Sequence, residues 1–266
     1  MTDLRIALLQ SPIDWENPVA NYARFGKMLL EIQEKADLIL LPEMFTTGFS
    51  MNAERIAEPF SEQMPSVVWM RRMALELGSA IAGSVAVNDG GRYFNRLIWV
   101  SSDGEIHFYD KRHLFSMAGE DKAYSSGEQR VIIDVKGWKV CPLICYDLRF
   151  PVWSRNRLSD ENSAEYDVLV YVANWPTPRR NAWSSLLVAR AIENQCYVAG
   201  LNRCGVDGNG LEYNGDSAVI NPYGEEICSS HENEVSLLYA SLSAEALQQF
   251  RQKFPVLRDA DRFSVR

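Results

Sequence analysis

Three residues far apart along the chain, Glu43, Lys111 and Cys145, have side chains that together suit attack on the carbon–nitrogen bond of an amide. Cys145 follows the apolar run Val140-Cys141-Pro142-Leu143-Ile144 and precedes Tyr146-Asp147-Leu148-Arg149-Phe150-Pro151. A buried strand that ends in a cysteine and turns into charged, proline-containing sequence sets the sulfur at a sheet rim, where a substrate reaches it. Cysteine is also a frequent core residue, so the setting alone does not make a nucleophile. Its companions do. Glu43 closes the apolar stretch Leu38-Ile39-Leu40-Leu41-Pro42, and a carboxylate placed there is partly desolvated, which raises its pKa toward that of a general base. Lys111 closes Glu105-Ile106-His107-Phe108-Tyr109-Asp110 in the same manner. Strand ends on one edge of a sheet converge. An ammonium beside a thiol favours the thiolate, below the usual cysteine value of about 8.5. The same ammonium stabilises a tetrahedral oxyanion, and the carboxylate takes up the thiol proton and returns it to a leaving group.

The segments that must carry these groups alternate between strand-like and helix-like patterns, the mark of layered α/β architecture. Leu4 to Gln10 reads as a first strand. Asn17-Pro18 supplies an N-cap with proline at N1, and Val19, Tyr22, Phe25, Leu29 and Ile32 recur at helical spacing. Strands are expected over Asp37 to Glu43 and Ala80 to Val87, with a helix over Pro65 to Leu77 between them. Arg96 to Ser101 and Glu105 to Asp110 form a hairpin through Ser102-Asp103-Gly104, which implies mixed rather than purely parallel sheets. Val152 to Arg157 predicts a short helix and Asp167 to Ala173 a fully buried strand. Thr177-Pro178 opens a long helix with Trp183, Leu186, Leu187, Ala191 and Ile192 as its buried stripe. Strands over Cys196 to Leu201, Ser217 to Ile220 and Val235 to Ala240, and a helix over Ala244 to Lys253, complete the series. No repeat, low-complexity linker or compositional break interrupts it, so residues 1–266 read as one domain.

Composition narrows the classes of partner. The chain has 266 residues, 47% of them apolar and 11% aromatic, enough for a large core. A net charge of −8 with no basic block argues against nucleic-acid and anionic-membrane partners. Five cysteines without a C-x-x-C pair argue against a disulfide framework and for a reducing cytoplasm. Leu4 to Leu9 is short, contains Arg5 and lacks a small-residue cleavage site, so it does not read as a secretory leader. No apolar run approaches the roughly 18 to 20 residues of a membrane span.

With these motifs in view, the chain resembles the nitrilase, or carbon–nitrogen hydrolase, superfamily. Leu41-Pro42-Glu43-Met44-Phe45, Tyr109-Asp110-Lys111-Arg112-His113-Leu114-Phe115 and Ile144-Cys145-Tyr146-Asp147-Leu148-Arg149-Phe150-Pro151 each carry one member of that family's Glu-Lys-Cys triad, in the family's order. Phe45-Thr46-Thr47-Gly48-Phe49, Met117-Ala118-Gly119-Glu120, Ala173-Asn174-Trp175-Pro176, Ala189 to Gln195 and the tail Phe254 to Phe263 are similar to its bacterial omega-amidase branch. The resemblance implies a four-layer α-β-β-α sandwich with two mixed β-sheets, which pairs into a homodimer. It implies hydrolysis of the terminal carboxamide of 2-oxoglutaramate or 2-oxosuccinamate through a cysteine thioester. It also implies a second glutamate beside the lysine, at Glu120, and an oxyanion donor in the backbone N–H of Tyr146. No metal or cofactor is implied, and the partner is a small-molecule amide.

Such a substrate carries a carboxylate remote from the scissile amide, so the pocket needs a cationic or donor-rich end. Arg149, Arg179 and Arg180 are the candidates by position, and the residues alone do not choose among them. Phe45, Phe115, Tyr146 and Trp175 adjoin the motif residues and are candidates for the pocket wall, although core packing explains aromatics equally well. Gly205 to Gly210 lacks the G-x-G-x-x-G spacing and reads as a loop. His107, His113 and His231 lack ligand spacing. Other branches hydrolyse nitriles, N-carbamoyl compounds or aliphatic amides with the same triad. A Cys/His glutaminase completed by His231 and Glu232 is a rival reading, although such enzymes place the cysteine on a glycine-flanked elbow. A binding protein that kept the fold without activity is a third.

Overall fold

The computed structural model describes residues 2–159 and 163–261. Arg262 and Phe263, the end of the tail motif, lie outside them. Among the described residues two mixed sheets stack face to face. The first contains β1 (Leu4–Gln10), β2 (Leu38–Leu40), β3 (Glu58–Pro59), β4 (Ala80–Asp89), β5 (Arg92–Val100), β6 (Ile106–Asp110) and, late in the chain, β15 (Ser236–Leu242). Their order is β15-β1-β2-β4-β5-β6, with β3 beside β4. The second holds β7 (Ile133–Val135), β8 (Trp138–Ile144), β9 (Val168–Ala173), β10 (Tyr197–Asn202), β13 (Ala218–Ile220) and β14 (Glu226–Ser229), in the order β14-β13-β10-β9-β8-β7. β11 (Cys204–Val206) and β12 (Glu212–Asn214) form a separate hairpin. Each large sheet is parallel at its centre, β1-β2-β4 in one and β8-β9-β10 in the other, with antiparallel strands outside.

Strand alternation explains the layering. In β2 and β4, Leu38, Leu40, Ala80 and Ala82 face the second sheet, where they meet the cluster built on Val140, Leu169 and Val198. Ile39 and Ile81 point the other way, onto Phe25, Met28 and Leu29 of α1 (Pro18–Leu30) and Val67, Met70 and Met73 of α3 (Pro65–Leu77). α6 (Arg180–Asn194) covers the far face of the second sheet through Trp183, Leu187 and Ala191. The layers therefore run helix, sheet, sheet, helix. α7 (Ala244–Lys253) follows β15, and three single turns, α2 (Ala53–Ile56), α4 (Glu120–Ala123) and α5 (Pro151–Ser154), occupy connections.

Local chemistry marks the element ends. Asn17 caps α1 by accepting the Ala20 N–H at 3.2 Å, with Pro18 at N1. α3 starts at Pro65 and stops at Gly78, whose φ of 61° only glycine adopts without strain. The expected strand Asp37 to Glu43 is shorter, ending at Leu40. Pro42 has no N–H for a ladder and Met44 takes φ 46°, so Glu43 sits in a turn. The helix expected over Val152 to Arg157 is the single turn α5. Ile192, expected in the buried stripe of α6, is 51% exposed; Arg190 and Asn194 hold the buried positions through hydrogen bonds instead.

Gly83 allows the close approach that fixes the Glu43 turn. A Cβ there would stand 2.7 Å from Leu41 Cβ and 3.1 Å from the Phe45 ring. Gly83→Ala is therefore expected to destabilise the fold by about 1–3 kcal/mol, read as a lower urea midpoint with the slope unchanged.

Candidate active site

Four polar residues lie just beyond strand ends. Lys111 follows β6 directly, its N–H bonded to the Asn95 carbonyl at 3.0 Å. Cys145 follows β8 and begins a 3-10 turn through Arg149, with φ 44°. Asn174 follows β9. Glu43 lies three residues past β2, and the next residue, Met44, gives its N–H to Ser84 Oγ at 2.9 Å. A non-glycine residue at positive φ costs of order 1–3 kcal/mol, so the Met44 and Cys145 turns are held by their surroundings. Glu120, the first residue of α4, enters from a loop behind Gly119.

Lys111 Nζ stands 2.9 Å from Glu43 Oε1 and 2.9 Å from both oxygens of Glu120, with all three residues at most 1% exposed. Burial works against the ammonium, but Glu120 and Glu43 outweigh it and hold Lys111 above the ordinary lysine value. Glu120 is pushed upward by burial, opposed by Lys111 and reinforced by Glu43. The remaining lone pairs are satisfied too. Asn174 N–H donates to Glu43 Oε2 at 2.7 Å, Asn174 Nδ2 to the Glu43 carbonyl at 2.6 Å, and Phe115 N–H to Glu120 Oε2 at 2.6 Å. The ring of Phe49 lies 5.0 Å from Nζ and covers the group.

The Cys145 thiol is directed at the Asn174 carbonyl, 3.8 Å away. Burial first, and then the charge of Glu43, pushes this thiol well above its ordinary value; Lys111 pulls the other way and loses. This corrects the expectation that the ammonium lowers the thiol below its ordinary value. Two carboxylates surround one lysine, so the field at the sulfur is not that of a free cation.

Asp147, fully buried, ties the cysteine turn to the lysine strand. One of its oxygens accepts the Tyr109 hydroxyl at 2.8 Å and the Ile144 N–H at 3.1 Å; the other accepts the His113 N–H at 2.9 Å. His113 Nδ1 lies 2.8 Å from that second oxygen, where only an N–H can face a carboxylate. His113 stacks on Phe150 at 3.7 Å.

A cavity of about 70 Å³ opens at the sulfur, lined by Phe49, Phe115, Tyr146, Trp175, Arg149 and Arg179 among others. A cavity of this size suits a small molecule at the nucleophile. The larger surface depression along α7 has no cysteine among its described lining residues.

Residues 5–252 match the carbon-nitrogen hydrolase family. The chain is 50% identical to the Omega-amidase YafV of Escherichia coli strain K12 over 265 residues, covering 100% of each chain. It is 33% identical to a 2-oxoglutaramate amidase of Bacillus subtilis strain 168, covering 96% of each. Its structure is similar to that of XC1258 from Xanthomonas campestris, a CN-hydrolase superfamily protein with an arsenic adduct in its active site. The TM-score is 0.96 at 44% identity, with 100% of both chains covered. The chain belongs to the carbon-nitrogen hydrolase family.

In this hydrolase the structure brings together Glu43, Lys111, Glu120, Cys145 and Tyr146, and places Phe115, Trp175, Arg149 and Arg179 on the cavity. Two candidates fall elsewhere. Phe45 is packed among Tyr22, Phe25 and Trp69 on the outer face of the first sheet, because the Met44 turn directs it away. Arg180 starts α6 and pairs with Asp216 and Glu232. That pairing and an exposed His231 also remove the Cys/His alternative, since neither His231 nor Glu232 lines the cavity with Cys145. The β11-β12 hairpin, read only as a loop, supplies Leu211 and Tyr213 to the wall. Phe49, Asn174, Ala118 and Pro176 were unassigned individually, although each lies within or next to a branch motif.

A protonated resting thiol makes a checkable statement. Iodoacetamide alkylation of Cys145 in the substrate-free protein is expected to keep accelerating with pH through 9, as followed by peptide mass spectrometry. A resting thiolate would instead give a rate that levels off near neutral pH.

Proposed function

We propose that this amidohydrolase is an omega-amidase, hydrolysing the terminal carboxamide of 2-oxoglutaramate or 2-oxosuccinamate to the keto acid and ammonia. The observation that carries the substrate class is a pair of uncommitted cations. Arg149 lies 4.8 Å from the Trp175 ring and Arg179 5.0 Å from the Phe115 ring, both on the cavity with Cys145, and neither pairs with a carboxylate among the described residues. Half-buried guanidinium groups held on aromatic faces suit a planar carboxylate. Full-length relatives that carry the names omega-amidase and 2-oxoglutaramate amidase support the same reading.

The mechanism follows from the groups present. Cys145 Sγ attacks the carboxamide carbon while its proton passes to Glu43, so no free thiolate accumulates. The carbonyl oxygen becomes an oxyanion beside Lys111. One ammonium N–H serves Glu43 and one, bifurcated, serves both Glu120 oxygens, which leaves a third for that oxyanion. The Tyr146 N–H, in the first turn of the 3-10 segment where no intrahelical acceptor exists, is the second donor. Collapse breaks the carbon–nitrogen bond as Glu43 returns its proton to departing ammonia, and a thioester remains. Water, deprotonated by Glu43, then attacks the thioester carbon; the acid leaves and the thiol is re-formed.

The whole chain acts as one hydrolase unit in this reading, in agreement with the family match over residues 5–252. Five free cysteines fit a reducing cytoplasm, and no helix among the described residues is long and apolar enough to cross a membrane. Ile192 on α6 is exposed beside Gly224, and the neighbouring Tyr223, also exposed, packs its ring on Phe250 of α7, so apolar surface suited to self-association lies at this end of the second sheet. Light scattering is expected to give a mass twice the 30.2 kDa of one chain.

An ammonia-release assay tests the function. Cys145→Ala is expected to be inactive, and Glu43→Gln slower by about 10²- to 10⁴-fold. Arg149→Met and Arg179→Met are each expected to lower kcat/KM at least about tenfold for 2-oxoglutaramate, with little change for an uncharged aliphatic amide. Equal losses on both substrates would remove the carboxylate-binding role.

A further inference from the structure

Asn95 lies in the middle of β5, fully buried, and is absent from the chemistry described so far. Its Nδ2 donates to Glu43 Oε1 at 2.8 Å and to Glu120 Oε1 at 3.2 Å. These are the same two oxygens that Lys111 Nζ contacts at 2.9 Å. The four groups thus close a ring in which two donors, one charged and one neutral, alternate with two carboxylate oxygens. The amide cannot be turned over within it. Its Oδ1 accepts the Ser84 hydroxyl at 2.8 Å, the Ser84 oxygen accepts the Met44 N–H at 2.9 Å, and a turned amide would set its oxygen against two carboxylate oxygens. The two carboxylate oxygens on one side and the Ser84 hydroxyl on the other therefore set an NH₂ toward both glutamates.

We infer that Asn95 is a positioning residue that keeps Glu43 and Glu120 ionised together. One ammonium shared by two buried carboxylates invites one of them to retain a proton, as paired carboxylates do when they share a site. The two N–H bonds from Asn95 favour the charged form of both and occupy the Oε1 side of Glu43. That arrangement directs the proton exchange of Glu43 to its other oxygen, Oε2, which the Asn174 N–H holds at 2.7 Å. Loss of the amide donors raises the pKa of the pair, so more of the enzyme has a protonated base at a given acidic pH. The sign is fixed: the acid limb of the rate profile moves to higher pH.

This inference rests on the amidase reading and is tested with the ammonia-release assay between pH 5 and 9. Asn95→Leu, close in volume but without donors, is expected to lower kcat roughly tenfold to a hundredfold with KM within about threefold. It also moves the acid limb of kcat up by about one pH unit. Ser84→Ala, which removes the hydroxyl that anchors the amide oxygen, shifts the limb in the same direction by less, and it takes over the test if Asn95→Leu does not fold. A purely structural role lowers the thermal midpoint and leaves the limb where it is in the wild type; that result in a folded variant overturns the inference. An inactive wild type overturns the amidase reading instead, so the two failures are distinguishable.

Discussion

An ammonium sealed from water between two carboxylates is the constraint around which the molecule is arranged. Lys111, Glu43 and Glu120 are at most 1% exposed and meet at 2.9 Å contacts. Removal of the lysine would leave two buried carboxylates uncompensated, and breaking a buried ion pair in this way typically costs about 3–5 kcal/mol. The cluster therefore requires its three carriers, the turn after β2, the end of β6 and the start of α4, to arrive together. It requires their hydrogen-bond complements as well, and these come from the other sheet as Asn174 and from β5 as Asn95. Stability and chemistry share the same atoms here, because the sheet-to-sheet seam that holds the core also ends at the reacting groups.

The charge count of that cluster decides the state of the sulfur. A single lysine beside a thiol favours a resting thiolate. Here the lysine is outnumbered, and burial penalises a further anion, so Cys145 holds its proton above the ordinary range. Cys141, four residues earlier on β8, is pushed up to about 12 by burial with no such cluster around it. What sets Cys145 apart is access to a carboxylate and a cavity, not a low resting pKa.

How much was legible in the sequence follows from what each signal measures. Cys145, Glu43 and Lys111 could be found because three chemically complementary groups each end a strand-like segment, although each alone has an ordinary structural reading. The alternation of strands and helices yielded most element positions, and the helix over Ala244 to Lys253 matches residue for residue. Direction beyond a strand end was not legible. Phe45 adjoins Glu43 in sequence yet packs on the opposite face after the Met44 turn, while Phe49, four residues on, covers Lys111. Arg179 and Arg180 differ by one position, but the change from a 3-10 turn to α6 puts one on the cavity and the other on Asp216. Tyr213 reaches the cavity through a hairpin whose place is set by tertiary packing. Asn95 was not legible: the expected strand began one residue later, at Arg96, and only the observed strand, buried from Phe94 onward, shows that its amide must find polar partners.

The Asp147 network shows why the two strand ends stay in register. Lys111 belongs to the first sheet and Cys145 to the second, and two stacked sheets slide and rotate relative to one another more readily than strands within a sheet, which hydrogen bonds lock. Asp147 spans that seam. It accepts Ile144 N–H and Tyr109 O–H on one oxygen and two His113 donors on the other, so the cysteine turn and the segment after Lys111 share one buried carboxylate. Trp153 Nε1 donates to the Tyr109 hydroxyl at 3.0 Å, which fixes that proton on Asp147. A displacement of one sheet against the other would break several hydrogen bonds to one fully buried carboxylate at once. Placement of the nucleophile relative to the ammonium is thus held by a carboxylate that takes no part in bond making, and the same residue makes the strained backbone at Cys145 tolerable.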